Sequence, residues 1–381
     1  MTTVFRNGRV LLDAAWRDDV AVLVEGARIS AIVPADDARA RHADHVHDLA
    51  GNALLPGFID VQVNGGGGVL FNDDPSVAAL ARIGAAHARH GTTGFLPTLI
   101  SDEAATMQAA LAAVDQAIAE GVPGVLGIHL EGPYIAPARR GAHDARRFRV
   151  PDAAEIDLVC SLRRGVTVLT LAPECVTPDL VRTFSERGVI VCLGHSDATH
   201  AQARAALDAG ARGFTHLYNA MSPLQGRAPG MVGAALEDRA SWCGIIVDGH
   251  HVDAASLRVA LAAKPRGKLM LVTDAMPPVG ADAADFMLAG QRVSVRDGRC
   301  VNAAGSLAGS ALDMATALRN TMTWLDVSLA EAARMAATYP AQFLGLAQHS
   351  GRIAAGCRAN LLEVAADGTL LRVHQAPPHA R

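Results

Sequence analysis

The chain has 381 residues, enough for one large catalytic unit plus a smaller domain, since a (β/α)8 barrel alone takes about 250. A formal net charge of −4 without a concentrated basic stripe gives no electrostatic reason to expect nucleic acid, and no run of about 18 apolar residues predicts a membrane span. Met1 to Val10 lacks the apolar stretch of a secretory signal, so a cytoplasmic location is expected. The six scattered cysteines form no C-x-x-C pair and predict neither a disulfide framework nor a zinc ribbon, with Cys192 and Cys243 reading as small buried hydrophobes.

Taken in chain order, the first fifty residues (FRNGRVLL, AVLVEGARISAIV, HVHDL) cluster apolar residues between Asn7-Gly8, Glu25-Gly26 and charged turns, which predicts hairpin-like β structure. Eight strand candidates follow at 54–63, 93–100, 124–131, 166–174, 189–195, 213–216, 242–248 and 269–274, separated by Ala-rich helical stretches. Helices are expected to begin near Pro75-Ser76 and Asp197, and Gly91, Gly121, Gly188 and Gly210 fall where helices end. Residues 275–308 are Pro/Gly-rich and then carry a hairpin turning at Asp297-Gly298, a candidate lid. Helical patterns come next at 311–324, 329–337 and 340–346. From Gly351 the β character of the start returns, with a turn at Asp367-Gly368.

The expected architecture is α/β: a (β/α)8 TIM-like barrel over residues 54–349, with a small β-sandwich domain built from both chain termini, 1–53 and 350–381. A doubly wound open sheet is the competing architecture, because strand order in space is not readable from sequence.

Chemistry-bearing side chains sit at the C-terminal ends of these strands. Glu131, His195, His216 and Asp274 end the runs VLGIHLE, VIVCLGH, GFTH and LMLVTD, and a parallel barrel gathers such ends into one mouth. Two imidazoles and a carboxylate suit a divalent ion, most simply zinc, and leave a coordination position for a water that the ion acidifies into a nucleophile. Asp274 is the carboxylate placed to accept and return a proton. Each residue has a plainer role open to it: Glu131 a salt-bridged structural acid, each histidine a buried structural one, Asp274 a turn residue. The run Gly65 to Gly68 lacks both the P-loop lysine and the dinucleotide spacing, and reads as a tight turn.

Across the chain, PGFIDVQVNGGGG (56–68), HLEGPY (129–134), GAHD (141–144), LGHSDA (193–198), THLYNAM (215–221), DGHH (248–251), VTDAM (272–276) and SLAGS (306–310) resemble the N-acetylglucosamine-6-phosphate deacetylases of the amidohydrolase superfamily. The resemblance implies a barrel with a small β-sandwich, a homodimer, and hydrolysis of the acetamide of an amino-sugar phosphate to acetate and glucosamine 6-phosphate. It implies Glu131, His195 and His216 as ligands of one divalent ion, Asp274 as general base and acid, and His143 as a stabiliser of the oxyanion. It also implies Ala142, His143, Asn219, Ala220, Arg227, His251, Leu307, Ala308 and Gly309 as substrate contacts, with Arg227 reaching the phosphate site of a neighbouring subunit.

Many superfamily members carry His-x-His after the first strand for a second ion. Gln62 and Asn64 stand there in this chain, and its lysines, Lys264 and Lys268, precede the eighth strand, so a single ion is expected. The residues alone do not choose between His250 and His251. Deacetylation of N-acetylgalactosamine 6-phosphate, hydrolysis of an N-acyl amino acid, and a catalytically silent barrel scaffold are the alternatives.

Overall fold

The computed structural model describes residues 1–13, 15–281, 285–303 and 305–377. Among the described residues the eight expected barrel strands share one sheet in sequence order: β1 (Phe58–Val63), β2 (Thr92–Ile100), β3 (Gly127–Glu131), β4 (Val166–Leu171), β5 (Ile190–Leu193), β6 (Gly213–Phe214), β7 (Trp242–Ile245) and β8 (Leu269–Leu271). Each pairs in parallel with the next. The sheet curls until its two edges meet. Val63 bridges Ala275 in parallel, the Asp274 N–H donates to the Gln62 carbonyl at 3.0 Å, and the Thr273 hydroxyl donates to the Asp60 carboxylate at 2.5 Å. A doubly wound sheet reverses its strand order at a switch point; this one never does, and closing it removes the edge.

Every residue of β1, β2 and β3 is buried, because one face of each strand fills the barrel and the other is covered by helices. One helix follows each strand: α1 (Val77–Ala88), α2 (Ala104–Glu120), α3 (Ala153–Val159), α4 (Pro178–Glu186), α5 (His200–Asp208), α6 (Gly230–Glu237), α7 (Ala254–Ala263) and α8 (Met314–Leu325). Their starts are chemically marked. Ser76, Asp152, Thr177, Asp253 and Asp313 each accept a first-turn N–H, and Thr199 forms a reciprocal capping box with Gln202. After α8, Leu329–Ala333 and Tyr339–Phe343 are joined through a π turn, Arg334–Thr338, into continuous helix where separate helices were expected. Pro340 has no N–H to donate, and widening the preceding turn accommodates that loss.

Strand spacing leaves little tolerance at the base of the barrel. A Cβ added to Gly127 would lie 2.0 Å from the Val166 carbonyl oxygen, inside the β3–β4 ladder. Gly127→Ala is therefore expected to destabilise the fold by about 1–3 kcal/mol or to prevent folding, read as a lower denaturant midpoint. An unchanged midpoint would contradict the pairing of Gly127 with Val166.

Both termini contribute to the small β-sandwich. One sheet orders Arg28–Pro34, Val20–Glu25, Thr2–Arg6 and His45–Asp48; the other orders Leu370–His374, Leu361–Val364, Ala53–Pro56, Arg9–Leu11 and Trp16–Arg17. Phe5, Val22, Ile29, Leu54 and Leu361 pack between them. Two expectations are corrected. Asn7-Gly8 does not turn a hairpin: Thr2–Arg6 and Arg9–Leu11 lie in different sheets, and Gly8 passes so close to Asn52 that a Cβ would sit 2.4 Å from its carbonyl oxygen. The run 54–63 is not one strand either. Gly57 splits it, sending Ala53–Pro56 to the sandwich and Phe58–Val63 to the barrel, with Thr93 2.1 Å from where its Cβ would be.

The hairpin at Asp297-Gly298 is present, both residues in the left-handed region. It belongs to a sheet of Asp285–Leu288, Gln291–Arg296, Arg299–Asn302 and Leu307–Ser310. Leu288, Val293, Cys300 and Ala308 of that sheet pack on Leu70, Ile100 and Met276 beside the barrel mouth.

Candidate metal centre

Four strands deliver the predicted residues to one point. Glu131 is the last residue of β3, His195 and His216 lie two residues beyond β5 and β6, and Asp274 lies three beyond β8. His195, His216 and Asp274 hold φ of 49°, 32° and 53°, a left-handed conformation uncommon for side chains with a Cβ and concentrated at these strand ends. Glu131 Oε1 lies 3.4 Å from His195 Nε2 and 3.0 Å from His216 Nε2, and the two Nε2 atoms lie 3.0 Å apart. All three side chains are buried.

Hydrogen bonding fixes what these nitrogens present. His195 Nδ1 faces the Arg139 carbonyl at 2.8 Å, so Nδ1 carries the proton and Nε2 offers its lone pair to the centre. A lone pair, a carboxylate and a second imidazole nitrogen converging in a buried centre need a positive charge among them. Burial lowers the proton affinity of His216, but its hydrogen bond to Glu131 together with the charges of Glu131 and Asp274 outweighs burial and raises it. For Glu131, burial opposes ionisation while the two histidines overcome it, holding the carboxyl well below its usual range. The donor set fits a divalent ion equally well. Ligands ~2.0–2.1 Å from a tetrahedral zinc ion are separated by roughly 3.3 Å, close to the spacings of these three donor atoms.

Gln62 and Asn64 do not stand in for ligands. The Gln62 amide nitrogen donates to Glu131 at 3.1 Å and to Asp274 at 3.2 Å, and that of Asn64 donates to Asp274 at 2.6 Å. Each turns its donor side to a carboxylate and so positions that group without aiming a lone pair at the centre. Burial, then the Glu131 charge, push the Asp274 carboxyl up to about 6.

His143 reaches the same cleft from the loop after β3. The Ser101 N–H points at His143 Nδ1 from 3.3 Å and the Ser101 hydroxyl lies 2.8 Å from the same atom, so Nδ1 accepts and Nε2–H is a donor. Burial, then His195, push its proton affinity down to about 3, which keeps the ring neutral. His251 is oriented by Asp248, whose Oδ2 lies 2.6 Å from His251 Nδ1 and whose Oδ1 accepts the backbone N–H groups of His250 and His251. His251 lines the cleft and His250 is exposed.

The cleft holds about 200 Å³ and is lined by Ala142, His143, Asn219, Ala220, His251, Leu307 and Gly309 together with the four strand-end residues. Two expected contacts do not line it with their side chains, one of them, Arg227, being the residue the resemblance assigns to a neighbouring subunit. Ala308 points away into the apolar cluster under the hairpin sheet, as strand alternation between Leu307 and Gly309 requires. Arg227 is exposed on the loop before α6 and does not line the cleft of its own chain. The glycine run 65–68 packs against Pro277, Arg82 and His87, not in the cleft. Lys264 is tied to the Ala235 carbonyl, away from the mouth.

Sequence reasoning missed Ser101, His129 and Asp60. Ser101 directly follows β2, so the strand-end rule that found Glu131 would have found it too. Below the centre, His129 joins Thr170 at 2.7 Å and Thr170 joins Thr215 at 2.6 Å, a buried polar layer signalled only by polar residues in apolar strands.

A closed parallel barrel whose mouth holds two imidazoles and a carboxylate beside a further buried carboxylate has the construction of a hydrolase that works with a divalent ion. The sequence profile of the amidohydrolase family matches residues 53–375, and the chain belongs to that family. It is 45% identical to the N-acetylgalactosamine-6-phosphate deacetylase of Shewanella sp. (strain ANA-3), over 87% of this chain and 84% of the relative. It is 36% identical to the N-acetylglucosamine-6-phosphate deacetylase of Haemophilus influenzae, over 90% of each. The solved structure of N-acetylglucosamine-6-phosphate deacetylase from Pasteurella multocida superposes with a TM-score of 0.95 at 37% identity, covering 99% of this chain and 98% of that one.

Proposed function

We propose that the protein deacetylates N-acetylglucosamine 6-phosphate to glucosamine 6-phosphate and acetate. The observation that carries this reading is the convergence of Glu131, His195 and His216 within hydrogen-bond reach of one another, next to Asp274 and a neutral, donor-ready His143. In this reading the three residues hold one divalent ion, zinc by donor type, which supplies Lewis acidity toward a water and the acetamide oxygen. Asp274, held by Asn64 and Gln62, takes the proton of the attacking water and passes it to the departing amine. His143 donates through Nε2–H to the acetamide oxygen as negative charge develops there. His251, Asn219, Ala142, Ala220, Leu307 and Gly309 form the walls of the sugar site, and Ala308 supports that wall from behind. Replacing His143 with Gln is expected to lower kcat by about 100-fold with a smaller change in KM, measured by acetate release. A KM effect alone would assign His143 to ground-state binding instead.

A sugar phosphate is charged and does not cross a bilayer unaided, so the reading places the enzyme in the cytoplasm. Among the described residues no helix is long and apolar enough to cross a membrane. The chain is read as one barrel domain and one sandwich domain from both termini, with the expected boundary at 53/54 moved to Gly57 because Ala53–Pro56 pairs in the sandwich. It is further read as a homodimer, in which Arg227 forks onto the phosphate bound by the neighbouring subunit, because it is exposed and does not line its own cleft. Arg227→Ala is expected to raise KM for the 6-phosphate by about 10–100-fold and to leave the unphosphorylated N-acetyl sugar unaffected. Mixing Arg227→Ala with Asp274→Asn chains should give no more activity than the Arg227→Ala chains alone if subunits act alone, and a partial return of the low KM if they exchange arginines.

The galacto epimer is a second reading, favoured by the 45% identity to the Shewanella N-acetylgalactosamine-6-phosphate deacetylase. Acetate release from the two epimeric 6-phosphates, compared as kcat/KM, decides between them. Turnover of neither, by protein loaded with zinc, would overturn the deacetylase reading.

A further inference from the structure

A second group of metal-capable side chains lies in the sandwich, remote from the barrel mouth: His47, Glu363 and His374, whose ligand atoms fall within 4.8 Å of one another. The fold brings them there from both ends of the sequence. His47 sits on His45–Asp48 in one sheet, beside Phe5 in the parallel pairing with Thr2–Arg6. Glu363 and His374 sit on the antiparallel pair of the other sheet, where Leu361 opposes His374 and Glu363 opposes Arg372. Directly opposed residues share a face, so Glu363 and His374 both point toward the first sheet and meet His47 between the layers.

The local chemistry is that of a ligand set. His47 Nε2 lies 2.8 Å from Glu363 Oε2, and the two side chains are 17% and 10% exposed. The Asn52 amide donates to Glu363 Oε1 at 2.8 Å, fixing the carboxylate and leaving Oε2 for the centre. The His47 and His374 rings stand edge to face with centroids 4.5 Å apart, and Phe5 packs on both. His374 Nε2 is buried and has no hydrogen-bond partner among the described residues. A buried imidazole nitrogen left bare asks for an occupant.

We propose that His47, Glu363 and His374 bind one divalent transition-metal ion of the zinc type, which clasps the N-terminal and C-terminal segments of the sandwich together. Two imidazoles and a carboxylate are donors a borderline ion accepts and calcium or magnesium does not favour. The site is structural in character, because it lies between two packed sheets. Occupation requires His47 to carry its proton on Nδ1, so the exposed Arg372 guanidinium, now 3.4 Å from Nδ1, turns to solvent. The ion joins segments more than three hundred residues apart in sequence, where a cross-link most restricts the unfolded chain.

The test uses the full-length protein, stripped with chelator, dialysed against micromolar zinc and analysed for bound metal. Wild type is expected to hold about two ions per chain, and Glu363→Gln, which keeps the side-chain shape and the Asn52 contact, about one. Glu131→Gln is expected to hold about one ion, at the sandwich, and to melt several degrees higher with zinc than without; the double variant should show neither property. Equal zinc content in wild type and Glu363→Gln, or a Glu131→Gln melting point that zinc does not move, would overturn the proposal. Should Glu363→Gln fail to fold, anomalous diffraction at the zinc edge from wild-type crystals decides it. A peak beside His374 Nε2 supports the site, and a water alone there overturns it.

Discussion

Asp274→Asn is expected to lower kcat by about 10²–10⁴-fold while leaving KM for the sugar phosphate and the ion at the mouth nearly unchanged. The substitution keeps the shape of the side chain and an oxygen that can still accept from Asn64 and Gln62, which donate to Asp274 at 2.6 and 3.2 Å. What it removes is the ability to take a proton at one moment and return it at the next. The pH profile gives an independent reading. Burial and the Glu131 charge push the Asp274 carboxyl up to about 6 in the protein without an ion, and a bound cation pulls it downward. The ionised form is the base, so wild-type kcat should be full above this value, fall as pH drops through it, and show its acid limb at or below about pH 6. That limb should vanish in the variant. An Asp274→Asn enzyme within about tenfold of wild type, with the acid limb intact, would remove Asp274 from the reaction and leave it as a turn residue.

Glu131→Gln is expected to have the larger effect on metal. Substitutions in the groups that merely orient a ligand cost about 10–100-fold in affinity, and Glu131 is itself placed as a ligand, so the loss of the mouth ion should exceed that range. The neutral amide also meets the Gln62 amide nitrogen, 3.1 Å from the present carboxylate oxygen, and takes away the charge that raises the proton affinity of His216. Activity at micromolar zinc should disappear and return in part at millimolar zinc, while the circular dichroism of the folded barrel is unchanged. Full activity with the mouth ion retained would mean that the three side chains cluster for structural reasons alone.

The barrel was legible because its strands are short runs of Val, Ile and Leu buried on both faces, and because Ser, Thr and Asp mark the helix starts. The reading failed where one apolar run serves two sheets. Nothing in LLPGFIDVQV announces that Gly57 turns the chain from sandwich to barrel, since what leaves room there for glycine alone is the approach of Thr93, a neighbour in space. The same holds at Asn7-Gly8, whose composition is that of a hairpin turn but whose flanking strands find different partners. Ala308 belongs to a matched motif yet its side chain sits outside the cleft, because a motif carries residue order and not the direction a side chain takes from an alternating strand.

By itself the sequence determined which residue types end which strands, and a parallel barrel converts that linear fact into a shared mouth; this is why Glu131, His195, His216 and Asp274 could be named without coordinates. Only the tertiary structure decided how protons and lone pairs are arranged there. The Arg139 carbonyl fixes the His195 tautomer, Ser101 fixes that of His143, Asp248 orients the His251 ring, and the amides of Gln62 and Asn64 clamp the two carboxylates. These are contacts among residues tens to hundreds of positions apart, set by hydrogen-bond directions of a few ångströms, and no local pattern of hydrophobicity encodes them.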